Sequence, residues 1–138
     1  MIEVTADDFS IDEIVKHTRR PSMGSLVLFL GTTRDTTEGK QVLNLEFEAD
    51  NESAIAELGI IRDEAISKYA ATDVSIVHRV GKMTPGENIV LIAVGAAHRS
   101  QAFNACRYVI DELKKRAMIW KKEYTEESSY WVGSNDIE

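Results

Sequence analysis

Two lysines near the end of the sequence could carry acid–base chemistry. Lys114 lies near the C-terminal end of a predicted helix and Lys121 lies in the strand predicted to follow it, so a tight connection could bring both amines to one pocket. Neighbouring ammonium groups repel each other and burial removes their solvent, and both effects favour the loss of a proton. The pair could therefore bind an anion and exchange protons with it. The alternative is a solvated basic helix end that complements the helix dipole.

Three further polar residues could bind a phosphate. His98 and Arg99 follow the apolar run from Ile89 to Ala97, at a strand-to-helix junction whose backbone donors suit phosphate. Arg99 could contact two phosphate oxygens, and His98 could donate a hydrogen bond or transfer a proton. Arg34 lies in a loop after a predicted strand, where a guanidinium meets either a ligand or water. The alternative is that His98 satisfies a local backbone group and both arginines are surface charges.

The sequence offers little other catalytic chemistry. Cys106 is the only cysteine, and it lies on the apolar stripe of a predicted helix with Phe103 and Ile110, where a thiol behaves as a small hydrophobe. His78 is predicted to pack beside a sheet, and Arg79 to be exposed. Metal-ligand spacings, glycine-rich phosphate loops and serine nucleophile elbows do not occur. We therefore predict neither a metal nor a cofactor.

The hydrophobic pattern predicts the elements that position these residues. Three helices are predicted, with caps at Ser10, Asn51 and Ser100. The predicted strands are Ser25 to Leu30, Leu43 to Phe47, Val74 to Val80, Asn88 to Ala96, Ile119 to Tyr124 and Ser129 to Val132. Thr32 to Gln41 is predicted to be a mobile loop, Gly81 to Glu87 a turn, and Thr125-Glu126-Glu127 the turn of a C-terminal hairpin. Antiparallel strand pairs with a few helices indicate an α+β fold.

Composition limits the class of protein. The 138 residues, 43% of them hydrophobic, predict a single domain over residues 1–138. We expect a cytoplasmic protein, because neither a membrane span nor a signal peptide is recognisable. The net charge of −7 argues against nucleic-acid binding. Five of the sixteen Lys and Arg residues nevertheless lie between Lys114 and Lys122, which indicates a small anionic ligand.

An ordered set of short segments resembles the large-subunit family of molybdopterin synthase. The resemblance extends from about residue 24 to residue 132, and the order of the segments makes it specific. The matching segments are Phe29-Leu30-Gly31-Thr32-Thr33-Arg34, His78-Arg79-Val80-Gly81, Pro85-Gly86-Glu87, Ala97-His98-Arg99-Ser100-Gln101-Ala102-Phe103, Leu113-Lys114-Lys115-Arg116-Ala117, Trp120-Lys121-Lys122-Glu123 and Trp131.

The resemblance implies an α/β-hammerhead-type domain with an antiparallel sheet and a small additional antiparallel β subdomain. It implies a sulfurtransferase that takes sulfur from the C-terminal Gly-Gly thiocarboxylate of a small subunit and gives it to cyclic pyranopterin monophosphate, forming the dithiolene of molybdopterin. Lys114 matches the principal catalytic lysine and Lys121 the second, while Arg34, His98 and Arg99 match substrate-binding positions. The family forms a homodimer within a heterotetramer, and each pocket draws residues from both large subunits.

Two departures from the family pattern affect the predicted site. Met118 stands where the family usually has proline, and Ser128-Ser129 where it has glycine. The rigidity of the connection before Lys121 and the geometry of the last turn could therefore differ from those of the family. A non-catalytic scaffold for a ubiquitin-like sulfur carrier is the main alternative function. A nucleic-acid binder using the segment from Lys114 to Lys122 is disfavoured by the acidic composition.

Overall fold

The computed structural model describes residues 1–125 and 129–132. The predicted turn at Glu126 and Glu127 and the departure at Ser128 lie outside the described residues. Within those ranges the chain forms three helices and nine strands. The helices are α1 (Ile11–Thr18), α2 (Asn51–Tyr69) and α3 (Arg99–Arg116). The strands are β1 (Ile2–Thr5), β2 (Ser25–Thr32), β3 (Thr36–Thr37), β4 (Lys40–Ala49), β5 (Asp73–Arg79), β6 (Gly81–Met83), β7 (Asn88–Ala96), β8 (Ile119–Thr125) and β9 (Ser129–Val132).

The first sheet has the strand order β1-β5-β7-β2. β7 is antiparallel to β5 and β2, whereas β1 is parallel to β5. Helices cover both faces of β5 and β7, which is why both strands are nearly continuous apolar runs. Leu58 of α2 and Val109 of α3 belong to the larger core on one face. Ile14 of α1 packs with Val77 and Leu91 on the other.

β2 is an edge strand, and part of its apolar surface faces solvent. We predicted a buried strand, but Leu28 is 43% exposed and Leu30 39% exposed. Their register partners on β7, Ala93 and Leu91, lie under α1, whose eight residues cover the centre of the sheet rather than its edge. Within the described residues, no strand pairs with the outer edge of β2. This edge therefore presents both apolar side chains and unpaired backbone groups.

The second sheet is antiparallel, with the order β3-β4-β8-β9 and with β6 also paired to β4. It is the small β subdomain of the predicted fold, and together with the first sheet it confirms the α+β, hammerhead-type architecture. Two of its strands lie in segments we predicted to be irregular: β3 in the loop from Thr32 to Gln41, and β6 in the turn from Gly81 to Glu87. Side chains along β8 alternate between a buried and an outward face, so Lys121 points inward and Trp120 outward.

The N-termini of the three helices show how well local sequence signals predicted the capping residues. α1 is capped as predicted, since Ser10 Oγ accepts a hydrogen bond from the Glu13 N–H at 3.3 Å. The other two helices begin one and two positions away from their predicted caps. α2 follows Asp50 rather than Asn51, and α3 follows His98, whose N–H donates to Gln101 Oε1 at 3.2 Å.

Two further findings concern membrane-spanning helices and metal-binding side chains. None of α1, α2 and α3 is long and apolar enough to cross a membrane. Across residues 1–125 and 129–132, no three or more His, Cys, Asp or Glu side chains are grouped so that they could hold a metal ion.

Candidate active site

Arg34 and Lys121 line the same small cavity between the two sheets. Lys121 reaches it because its position on β8 faces inward, and Arg34 because it lies two residues beyond the end of β2. The space inside is about 10 Å³, enough for about one water molecule. We call it the Arg34–Lys121 cavity. Its walls are formed by Thr32, Arg34, Thr37, Leu45, Phe47, Ile89, Lys121 and Glu123.

A buried ion pair lies at the wall of this cavity. The Lys121 ammonium is 3.3 Å from Glu123 Oε1, and the two side chains are 6% and 2% exposed. Thr37 Oγ1 donates a hydrogen bond to the same carboxylate oxygen at 3.2 Å. Buried charges persist only when they are paired and hydrogen-bonded. The arrangement therefore presents a positioned ammonium, which could bind an anion or donate a proton beside the Arg34 guanidinium.

Lys114 lines a different cleft. It lies half-buried in the last turns of α3, beside a space of about 300 Å³ that is also lined by Met118, Trp120 and Val132. The helix ends at Arg116 with Ala117 as its C-cap, and the chain then turns through Met118, which has a left-handed φ of 57°. Proline could not adopt this conformation, so a proline at this position would require a different local backbone. In the isolated chain, Lys114 and Lys121 thus line neighbouring but separate spaces.

His98 and Arg99 lie at the opposite end of α3. Both side chains are exposed, and fifteen residues of helix between Arg99 and Lys114 correspond to about 22 Å along the axis. The pairing of Ser25 with Ala96 puts this junction at the start of β2, whereas Arg34 lies beyond its other end. One copy of the chain therefore does not bring His98 and Arg99 to either of the two spaces.

The two residues that hold the Lys121 ammonium through the carboxylate, Glu123 and Thr37, were not among the sequence candidates. Glu123 is two positions after Lys121, and the alternation of a strand could have identified it as a neighbour on the same face. Thr37 gave no such signal, because it reaches Glu123 from 86 positions away in sequence.

His78 packs behind Phe47, one of the residues that line the cavity. Its ring packs edge-on against Phe47 at a centroid distance of 5.1 Å, and its Nδ1–H donates to the Arg79 carbonyl oxygen at 2.7 Å. Burial lowers the pKa of His78 to about 4, so the ring is neutral. Arg79 is buried rather than exposed as we predicted, because its guanidinium donates to the Asn88 carbonyl oxygen at 3.1 Å.

Comparison with known proteins identifies the family. Residues 4–116 match the family described as MoaE protein. The molybdopterin synthase catalytic subunit of Pyrococcus abyssi is 42% identical over 126 residues, covering 91% of this chain and 85% of the relative. The crystal structure of molybdopterin synthase from Staphylococcus aureus superimposes with a TM-score of 0.91 at 36% identity, covering 95% of this chain and 96% of the other.

A more distant structure shares the fold. One chain of a complex between subunits 1 and 2 of the molybdopterin-converting factor from Helicobacter pylori has a TM-score of 0.77 at 16% identity, with 95% of this chain and 89% of the other covered. The family match and the identities over most of the length agree with one another. The chain therefore belongs to the MoaE family of molybdopterin synthase catalytic subunits.

Proposed function

We propose that this chain is the catalytic subunit that transfers sulfur from the thiocarboxylated C-terminus of a small subunit to cyclic pyranopterin monophosphate. Each transfer breaks the thiocarboxylate C–S bond, forms a C–S bond to the pterin and, with water, leaves a carboxylate on the small subunit. Two transfers give the dithiolene. The observation that carries the proposal is the buried Lys121 ammonium, which lines the same cavity as Arg34 in a MoaE-family chain.

The proposed roles follow from the chemistry of each side chain. Ring opening and sulfur addition require proton donors and acceptors near the reacting carbons, which Lys114 and Lys121 would supply. The phosphate of the pterin requires fixed cations, which Arg34 and Arg99 would supply with His98 as a further donor. Their exposed positions suit a ligand that enters from solvent.

We infer that a second copy of the chain completes the pocket through the edge of β2. Pairing of two β2 strands about a twofold axis would be antiparallel and would cover Leu28 and Leu30. The eight residues of β2 span about 26 Å. Antiparallel pairing brings the start of one strand, with its His98 and Arg99, to the end of the other, next to Arg34. A homodimer flanked by two small subunits would then contain two complete pockets.

The test is product formation by lysine variants. Purified chain is mixed with thiocarboxylated small subunit and cyclic pyranopterin monophosphate, and the dithiolene product is measured. Lys114→Ala and Lys121→Ala should each lower the rate by about 100-fold or more, the contribution typical of general acid–base groups. Lys115→Ala is the matched control, because Lys115 is the exposed neighbour that pairs with Glu112 at 3.4 Å. It should retain close to the wild-type rate.

Two outcomes would contradict the proposal. Equal product from the wild type and Lys114→Ala would remove the catalytic assignment of that lysine. An inactive wild type, under conditions in which an established catalytic subunit makes product, would favour the non-catalytic scaffold.

Size-exclusion chromatography with light scattering tests the dimer, and Leu28→Lys should convert it to a monomer.

A further inference from the structure

The Arg34–Lys121 cavity is closed by a short β-hairpin. β3 pairs with β4 through two residue pairs, Thr36 with Gln41 and Thr37 with Lys40. The tip is Glu38-Gly39, where both φ angles are positive, at 51° and 79°, as a two-residue turn of type I′ requires. The Val42 N–H donates to the Asp35 carbonyl oxygen at 2.8 Å at the base. Residues 35–42 therefore form one small unit, which we call the hairpin.

The cavity cannot hold a substrate in this closed arrangement. Its volume is about 10 Å³, whereas pockets for small organic ligands enclose on the order of 300 Å³ or more. The walls contributed by β4, β7 and β8 belong to long ladders of the two sheets. The hairpin has its own two-pair ladder and one pair to β8, Val42 with Thr125. It is thus the wall that is held by the shortest ladders.

The base of the hairpin contains a break that would allow it to turn. The register of β4 against β8 shifts between Val42 and Asn44, so Leu43 is an extra residue at the point where the hairpin leaves the sheet. Bulges of this kind bend a strand locally. A turn of the hairpin at this point would break the single pair of Val42 with Thr125 and leave the ladder from Asn44 to Ala49 intact.

One side chain fastens the hairpin to the site. Thr37 is the residue of β3 that lines the cavity, and its hydroxyl donates to Glu123 Oε1 at 3.2 Å. The same oxygen is 3.3 Å from the Lys121 ammonium. Displacement of the hairpin therefore removes a hydrogen bond from the carboxylate that holds Lys121 in place.

We propose that Thr37 is a further positioning residue of this site, which fastens the hairpin as a lid over the cavity and orients Glu123 against Lys121. Opening of the lid admits a phosphorylated ring substrate. The hairpin then closes over the bound substrate in a wider arrangement than that of the empty cavity, in which Thr37 again donates to Glu123 and water is excluded from the ammonium. The identity of the substrate rests on the proposed function, whereas the latch between Thr37 and Glu123 does not.

Amide hydrogen exchange tests the latch without any substrate. Thr37→Val keeps the shape of the side chain and removes the hydroxyl, so exchange across residues 36–42 should become about fivefold faster, as the loss of one hydrogen bond predicts. Thr37→Ser should restore the wild-type exchange. Thr36→Val is the matched control, because Thr36 is the exposed neighbour on the same strand. It should exchange like the wild type.

Kinetics with the thiocarboxylated small subunit and cyclic pyranopterin monophosphate test the positioning role. Thr37→Val should lower kcat at least threefold relative to Thr36→Val, at an equal thermal unfolding midpoint. Unchanged exchange in Thr37→Val, or equal acceleration in both valine variants, would overturn the latch. Unchanged kcat with accelerated exchange would overturn the positioning role. An inactive wild type would count against the proposed function alone, because the exchange result would still decide the latch.

Discussion

The buried histidine at position 78 should make the fold sensitive to mild acid. The ring is fully enclosed, and burial lowers its pKa from 6.5 to about 4 in the folded chain. Between these two values the unfolded chain binds a proton that the folded chain does not bind. The contribution of the neutral ring to stability is therefore complete above pH 6.5 and is lost progressively as the pH falls below it.

The size of the effect follows from the pKa difference. Each pH unit between the two values costs about 1.4 kcal/mol of unfolding free energy. Lowering the pH from 7.5 to 5.0 spans about 1.5 of those units, so the wild type should lose about 2 kcal/mol. The full difference of about 2.5 units between 6.5 and 4 corresponds to about 3 kcal/mol.

Urea unfolding at four pH values between 7.5 and 5.0 measures this loss. His78→Asn places an amide donor where Nδ1 donates to the Arg79 carbonyl oxygen, and it cannot take up a proton. The variant should be less stable at pH 7.5, because the contact with Phe47 is reduced, but its stability should change much less with pH. His17→Gln replaces an exposed histidine and should follow the wild type. Identical pH slopes for the wild type and His78→Asn would refute the reasoning.

Three other substitutions test the packing and the charge network. A Cβ at Gly24 would lie 2.2 Å from the Ala97 carbonyl oxygen, so Gly24→Ala should lower the urea midpoint by the equivalent of about 2 kcal/mol. Gly59→Ala is its counterpart in α2, where the nearest atom is 3.9 Å away, and it should raise stability by about 1 kcal/mol. The Arg116 hydrogen bond lowers the pKa of Glu64 to about 2; in Arg116→Gln an NMR titration should find that pKa raised toward 4.5. Wild-type stability from this carboxylate is present above pH 4.5 and is lost as the pH falls toward 2, a loss that the variant should lack.

Elements with strong internal patterns were predictable from the sequence, and elements that depend on distant partners were not. The spacing of Ser10 and Glu13 was sufficient for α1, and the apolar runs were sufficient for β5 and β7. β1 exists through parallel pairing with β5, and the two- and three-residue strands β3 and β6 exist through pairing with β4. Strands this short have too few residues to show a pattern of their own.

Apolar residues were harder to assign than the elements that carry them. The run from Ser25 to Leu30 was correctly predicted to be a strand. Its composition does not reveal that α1 packs on the centre of the sheet and leaves this edge strand uncovered. Phe103 was placed on the apolar stripe of α3 and is 60% exposed, whereas Cys106 on the same predicted stripe is buried. Periodicity identifies one face of a helix, but the burial of each residue on that face depends on what packs against it.

The candidate site was predictable as a set of residue types and less so as a geometry. Lys121 and Arg34 share a cavity although 87 positions separate them, a relation that the resemblance implied and that spacing alone could not supply. Lys114 and the pair His98 and Arg99 remain predictions for the assembled pocket. The latch at Thr37 depends on a contact between two separate hairpins of the β subdomain, for which the sequence contains no periodic signal.

The enclosed thiol at position 106 limits the route that sulfur could take in the proposed reaction. It is the only thiol in the chain, it lies in the core beneath α3, and burial raises its pKa to about 11. A thiol in this state is almost never a thiolate at neutral pH, and its burial makes it a poor nucleophile. Under the proposed function, a cysteine persulfide at this position is therefore not expected as an intermediate. Sulfur would pass directly from donor to acceptor, and the two partners would occupy the protein at the same time.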